Sequence, residues 1–479
     1  MIQLTILHIN DLHGRVEQLA RLASLARCIR NDVQATGGHC LFLDAGDVED
    51  TALLESCLTK GSAMQAILRG AGCDWAALGN AIPLRYGPQA VAELGKGFGR
   101  PLLCANMFDQ HGRLADGLQP YTIENFDGFK VGLIGLTPPN DAYQTFFKLD
   151  VRQPLEVLPA LVEQARGEGA KTVILLSHLG SPVDQQIAEA ISGIDVIVGG
   201  HDHLKISPPM VVNHRRTGRP LLIVQAGEFG QFLGRLDLSL DPQSGQVQQS
   251  QGELLPAIEG LPFDAATRAA MEVQRQRVEA MMQREIGYLT DPIELAAEGE
   301  CSAGDLLADA LIERVPGAQI GLVLAGHWSS GLEAGRLTQG RLYAANRSTA
   351  NPARAELTGA QIRQFLSAAL KAENAQRSLH ALRGGQVGWP HVAGMRVRYD
   401  PENLERLEIW VGDEPLQAEQ AYVTAATDME FADYIGYLPL PISQFEFEVP
   451  TIMAEALEDY IVKRTPAGRP QGGRIAAYG

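Results

Sequence analysis

The sequence predicts a layered α/β protein of two domains joined by a helix, and three observations carry that reading. Short apolar runs alternate with helix-like stretches through the first half of the chain, the pattern of repeated βα units. Residues 264–285 contain neither Pro nor Gly and show a charged face, as a solvated connecting helix would. From Ile286 onward a second α/β-like pattern begins. With 479 residues, 45% of them hydrophobic, the chain has room for two or three cores at roughly 150–200 residues per domain.

Taken in order, the apolar runs are 4–9, 40–43, 75–78, 131–136, 172–176 and 196–198. Residues 16–30 and 154–166 place apolar side chains at three- and four-residue spacing and are expected to be helical. Around 221–224 and 234–240 the pattern turns to strand and hairpin. The polar stretch 241–251, with Pro242 and Gly245, reads as the exit from the first domain, and Asp264 is placed to cap the connecting helix. The second unit opens with a helix-like 303–314 and a strand-like 320–324. The expected division is 1–245, a linker helix within 246–285, and 286–479.

Charge and composition narrow the partners. Forty Lys and Arg against fifty-seven Asp and Glu leave a formal charge of −17, which argues against a surface that displaces counterions from nucleic acid. A small anionic substrate stays compatible, since bound cations reverse the local sign. No apolar run approaches the roughly 20 residues of a membrane helix. Met1 leads straight into an alternating stretch rather than a basic-then-apolar leader, so no membrane partner and a cytoplasmic location are expected. The cysteines, Cys28, Cys40, Cys57, Cys73, Cys104 and Cys301, show no CxxC spacing and are expected to be reduced and mostly buried.

Five of the apolar runs end in residues able to bind metals. The first leads into Asn10, Asp11 and His13, the second into Gly46-Asp47, the third into Gly79-Asn80. Run 172–176 leads into Ser177-His178, and run 196–198 into Gly199-Gly200-His201-Asp202-His203. Parallel α/β sheets gather the carboxyl ends of their strands along one rim, where ligands bind. Imidazoles mixed with oxygen donors suit zinc, manganese or iron better than magnesium or calcium. The donors exceed what one ion needs; two divalent ions sharing a carboxylate account for the excess, and such a pair clamps a phosphoryl group and acidifies water. His8, His39, His111 and His214 read instead as structural or surface residues.

The ordered set Asp-x-His, Gly-Asp, Gly-Asn, Ser-His and Gly-His-x-His resembles the calcineurin-like metallophosphoesterases. The opening Leu7-His8-Ile9-Asn10-Asp11-Leu12-His13-Gly14 narrows the resemblance to the 5′-nucleotidase and UDP-sugar hydrolase branch. Val224-Gln225-Ala226-Gly227-Glu228-Phe229-Gly230 points the same way, and residues 300–310 are similar to the opening of that branch's second domain. The resemblance implies a four-layer metallophosphoesterase sandwich, a linker helix and a 5′-nucleotidase-type C-terminal α/β domain. It further implies one metal held by Asp11, His13 and His203, a second by Asn80, His178 and His201, and Asp47 bridging them.

The departures are as informative. The family's Gly-Asn-His-Glu and the Asp that follows supply a dyad that stabilises the transition state or assists the leaving group; here the His position is Ala81, and the Asp position is Leu84 or Arg85 depending on the alignment. The substrate loop Asn-Gly-Gly-x-Ile-Arg appears as Ala325-Gly326-His327-Trp328-Ser329-Ser330, without its Arg. The Gly-Gly-Asp-Gly-Tyr stretch appears as Asp433-Tyr434-Ile435-Gly436-Tyr437. One base-stacking aromatic corresponds to Trp389, which reads equally well as a core residue; the other falls near Met429, with Phe431 or Tyr434 as substitutes. The expected function is a dinuclear-metal hydrolase of a small phosphoester, a nucleotide or a relative, with reduced or altered activity. The alternatives are a metal-binding pseudoenzyme and a hydrolase of changed substrate class, with His327, His391 and Arg85 as replacement substrate contacts.

Overall fold

Strands that are apolar on both faces need cover on both faces, and the N-terminal half of the chain supplies it. The computed structural model describes residues 1–50, 53–379, 385–432 and 434–478; it divides into two units, Met1–Val278 and Glu279–Gly479. In the first unit, one sheet runs in the order Val247–Pro256, Phe232–Leu240, Ile2–Ile9, His39–Asp44, Trp75–Ala76. The other runs Lys205–Asn213, Pro220–Ala226, Val196–Gly199, Thr172–Ser177, Phe129–Leu136, Tyr121–Phe126. Ile2–Ile9, His39–Asp44 and Trp75–Ala76 are parallel to one another, as are Phe129–Leu136, Thr172–Ser177, Val196–Gly199 and Pro220–Ala226.

The two-residue period of each strand sorts its side chains between two cores. Ile6, Leu43, Leu133, Ile174, Leu176 and Val198 fill the space between the sheets. Their neighbours Ile134, Val173, Leu175 and Ile197 point the other way, onto Leu158 and Val162 of the helix Pro154–Gly167 and Ile187 of Ser181–Ala190. The helix Val16–Ala35 buries Leu19, Leu22, Ala23 and Ala26 on the outer face of the first sheet. Each such Leu or Ile contributes roughly 1.5–3 kcal/mol on burial. The result is the expected four-layer α/β sandwich.

The expected domain exit is not one. Asp241 Oδ1 accepts from Gln243 N, Ser244 N and Ser244 Oγ, closing a hairpin turn, and Val247–Pro256 returns as an edge strand antiparallel to Phe232–Leu240. The boundary at 245 is therefore corrected: the first unit continues past this strand to Val278. A helix spans Ala265–Gln283, mostly exposed, and Asp264 caps it by accepting from Thr267 N at 2.8 Å while also pairing with Arg27.

The second unit is built on a mixed sheet in the order Pro390–Ala393, Ile320–Leu324, Ala421–Thr427, Pro352–Thr358, Phe445–Phe447. The helix Ser302–Arg314 packs on it through buried Leu306, Leu307 and Leu311. None of the six cysteines is in a disulfide; four are buried, Cys57 is half-buried and Cys28 is exposed. No described helix is long and apolar enough to cross a membrane.

Candidate metal centre

Five parallel strands deliver their C-terminal loops to one rim of the first unit. Asp11 and His13 follow Ile2–Ile9, Asp47 follows His39–Asp44, and Asn80 follows Trp75–Ala76. His178 follows Thr172–Ser177, and His201 and His203 follow Val196–Gly199. The backbone there is strained. Nine described non-glycine residues have positive φ, and Asp11, His13, Asp47, His201 and His203 are five of them. Such conformations cost about 1–3 kcal/mol each and persist where surrounding bonds enforce them, characteristically at functional sites.

Those bonds are identifiable. Asp11 N donates to Gly46 O, His13 N to Asp47 O, and Phe229 N to Asp11 O. Asp11 Oδ2 accepts from Asn10 Nδ2 and from the backbone N of His201, each at 2.8 Å. Its other oxygen, Oδ1, is buried without a hydrogen-bond partner and faces three imidazoles. His203 Nε2 lies at 3.3 Å, His13 Nε2 at 3.7 Å and His178 Nε2 at 3.8 Å. Asp47 Oδ2 sits 3.2 Å from His178 Nε2, and Asp47 Oδ1 accepts from the backbone N of Ala81 at 3.0 Å.

The imidazoles form two pairs, His13 with His203 and His178 with His201, each with ring centroids 5.2 Å apart. Outer contacts fix which nitrogen faces the centre. His178 Nδ1 donates to Ala45 O at 2.8 Å, and His203 Nδ1 lies 2.7 Å from Glu228 Oε2. His13 Nδ1 lies 3.2 Å from Glu49 O. Glu228 is a site residue that the sequence reading passed over. It follows Pro220–Ala226 as the ligand loops follow their strands, inside the Gly-Glu-Phe-Gly stretch.

A divalent cation fits this donor set. Asp11 Oδ1, His178 Nε2 and Asn80 Oδ1 are buried without hydrogen-bond partners: a carboxylate, an imidazole and an amide oxygen left unsatisfied on one rim. Two groups of ligand atoms converge within 4.8 Å, Asp11 with His13 and His203, and Asp11 with Asp47 and His178. His201 stands outside these two groups but holds its backbone N on Asp11 and its ring against His178.

The charges of the site's own side chains compensate one another. Burial works against ionisation of Asp47, but the imidazole of His178 outweighs it and the carboxyl is lowered to about 2. Burial likewise opposes the charge of His178, yet Asp47 and Asp11 raise that ring to about 10. A raised histidine stabilises the fold fully below its ordinary 6.5 and loses that contribution as pH climbs through about 10. A lowered carboxyl acts oppositely, contributing above its ordinary 3.8 and losing the contribution as pH falls through about 2. Since only neutral imidazole binds metal, manganese binding at neutral pH should release about one proton per chain from His178. Calorimetric titrations in buffers of different ionisation enthalpy measure that number; no proton release would contradict it.

Close approach also constrains the backbone. A Cβ on Gly79 would stand 2.0 Å from Asp47 Oδ1 and 2.4 Å from Asp47 N. Gly79→Ala should displace Asp47 and weaken metal binding by about 10–100-fold, with the far-ultraviolet circular dichroism unchanged. A variant that binds manganese like the parent would refute this packing.

Ala81 opens the helix Ala81–Phe98 and is half-buried, with Leu84 and Arg85 one turn along. In the second unit, a cavity of about 550 Å³ is lined by Ala325, His327, Trp328, Arg347, Ser348 and Met429 among others. His327 reaches it, but both ring nitrogens are engaged, Nδ1 with Ser348 Oγ at 2.6 Å and Nε2 with Glu430 Oε1 at 2.9 Å. His391 requires a correction. It is fully buried, its Nε2 accepts from Cys301 N at 2.9 Å, and its Nδ1 donates to Trp389 O at 3.0 Å. With both nitrogens committed to backbone, and burial lowering the ring to about 4, it is a core histidine rather than a substrate contact. Trp389 is 7% exposed and packs on Tyr399, off the cavity wall. Tyr434 is exposed and Phe431 buried, while Asp433 lies outside the described residues.

Comparison with known proteins agrees with this architecture. The family described as calcineurin-like phosphoesterase matches residues 4–205, and that of the 5′-nucleotidase C-terminal domain matches residues 285–437. The uncharacterized metallophosphoesterase YunD of Bacillus subtilis (strain 168) is 26% identical over 463 residues, covering 95% of this chain and 98% of that protein. The snake venom 5′-nucleotidase of Gloydius brevicauda is 30% identical over 345 residues; the match covers 65% of this chain and only 58% of that protein. Among solved structures, the 5′-nucleotidase precursor of Thermus thermophilus aligns over 100% of both chains, at 25% identity and a TM-score of 0.55. The chain belongs to the calcineurin-like phosphoesterases that carry a 5′-nucleotidase C-terminal domain.

Proposed function

We propose that this protein hydrolyses small phosphoesters, of nucleotide type, with two divalent cations. Asp11, His13 and His203 would hold one, Asn80, His178 and His201 the other, and Asp47 would bridge them. The observation that carries the reading is the set of unsatisfied buried donors, Asp11 Oδ1, His178 Nε2 and Asn80 Oδ1, beside two imidazole pairs. When bound, two such ions supply Lewis acidity at the phosphoryl oxygens and lower the pKa of water. The chain's own part is preorganisation. Asn10 and the backbone N of His201 fix Asp11, the N–H of Ala81 fixes Asp47, and Ala45 O and Glu228 fix the tautomers of His178 and His203.

Nucleotide substrates are supported by the relatives named 5′-nucleotidase and by the matching C-terminal domain. Six cysteines, none in a disulfide, fit the cytoplasmic location expected from the sequence. The test is product formation by the manganese-, zinc- or iron-loaded protein: inorganic phosphate from nucleoside monophosphates and p-nitrophenyl phosphate, and nucleoside monophosphate from cyclic diesters and nucleoside diphosphate sugars. Turnover that a chelator abolishes supports the reading. A loaded protein inert on the whole panel overturns it in favour of the second reading, a metal-binding protein without turnover. Ala81, and a His327 committed to Glu430 and Ser348, favour that alternative.

A further inference from the structure

Beneath the loop that carries His201 and His203, four polar side chains from separate elements meet. Ser177, at the end of Thr172–Ser177, donates its hydroxyl to Asp184 Oδ1 on the helix Ser181–Ala190. Gln225, on Pro220–Ala226, donates Nε2 to Asp202 Oδ1 at 2.8 Å, and Asp202 Oδ2 accepts from Ser181 N at 2.8 Å. Asp184 and Gln225 are both fully buried, and Asp184 Oδ2 and Gln225 Oε1 have no hydrogen-bond partner. The two orphaned oxygens lie beside the same glycine. A Cβ on Gly199 would stand 2.8 Å from Asp184 Oδ2, closer than packing allows, and 3.4 Å from Gln225 Oε1, so the missing side chain is what admits the carboxyl oxygen there.

Two oxygens that can only accept repel each other in a buried space, and leaving both unpaired is costly. A protonated carboxyl is a donor as well as an acceptor, whereas an amide oxygen is never a donor. The Gln225 amide cannot resolve the conflict by turning over, because its NH₂ is already spent on Asp202, a carboxylate at the half-exposed loop.

We propose that Asp184 is protonated in the native protein and donates to Gln225 Oε1, making it a positioning residue for the His201–His203 loop. The bonds then run in one direction, Ser177 to Asp184 to Gln225 to Asp202, and Asp202 sits between the two histidines. Burial pushes the Asp184 carboxyl up to about 8; Ser177 opposes that, the charge of Asp202 adds to it, and His178 opposes it. The consequence for metal affinity rests on the proposed metal centre; the protonation itself does not.

The test therefore has two arms. In metal-free protein labelled with ¹³C-aspartate, the infrared difference between wild type and Asp184→Asn at about pH 6 should contain a protonated-carboxyl stretch. Its absence overturns the proposal. In manganese titrations, Asp184→Ala should weaken binding by about 10–100-fold, as loss of an outer-shell partner does. Asp184→Asn, which can accept from Ser177 and donate to Gln225, should stay within about twofold of wild type and should lack the wild type's loss of affinity above about pH 8. An Asn variant as weak as the Ala variant also overturns the proposal. If the wild type binds no manganese, the metal centre fails as a reading, and the infrared arm alone decides the protonation.

Discussion

Asp47→Asn protein, dialysed against manganese, should lose both ions, whereas His203→Ala should keep roughly one. The asymmetry follows from position. Asp47 Oδ2 is 3.2 Å from His178 Nε2, its ionised state is supported by His13 as well as His178, and the N–H of Ala81 pins its second oxygen. His203 instead faces Asp11 Oδ1 and His13, on one side of the centre. An amide in place of a carboxylate keeps the shape and removes the charge that offsets repulsion between two cations. Turnover should therefore fall by more than the roughly 10–100-fold that an outer-shell loss costs. Asp11→Asn is the informative companion, because Asp11 Oδ1 belongs to both groups of converging ligands. Elemental analysis of the three variants measures occupancy directly. Full occupancy in Asp47→Asn would remove its bridging role, and a double loss in Asp11→Asn alone would transfer that role to Asp11.

The second large effect concerns position 81. Ala81 contributes its backbone N–H to Asp47 but has no side chain able to donate a proton to a leaving group. General acid–base assistance is worth roughly 10²–10⁴-fold. The wild type should accordingly be weak on nucleoside monophosphates and much less impaired on p-nitrophenyl phosphate, whose leaving group needs little protonation. Ala81→His should recover most of the deficit on monophosphates and little on the activated ester, since the new ring leaves the backbone bond to Asp47 in place. A ring at 81 needs an orienting partner. Positions 84 and 85 lie three and four residues on, along the same face of the helix, so Leu84→Asp or Arg85→Asp is the natural second change. No gain on either substrate, with manganese still bound, would show that the missing histidine does not limit this protein.

The positions of the central strands and the rim they feed were legible because doubly buried parallel strands must be apolar throughout, and their ends must turn polar. Residues 131–136 and 172–176 announced themselves in that way, and the second pointed to the His178 loop behind it. The strand Val247–Pro256 did not, because an edge strand with one solvated face reads Val-Gln-Gln-Ser-Gln and carries no apolar run. Its hairpin turn has the same Pro, Gly and polar content as a domain exit. Glu228 was visible as a motif residue but not as a partner, since only the meeting of two loops brings it to His203. His391 misled for the opposite reason: a histidine beside Trp389 looks available until Cys301 N and Trp389 O are seen to occupy both nitrogens. Pairings between distant backbone groups leave no local trace in sequence.

A dinuclear centre on the rim of the first unit would be seen by anomalous diffraction at the manganese edge from crystals grown with manganese and phosphate. Two peaks should appear about 3.5–4 Å apart, one beside His13 and His203 and one beside His178 and His201, with a carboxylate between them. A single peak, or none within reach of Asp11 and Asp47, would contradict it.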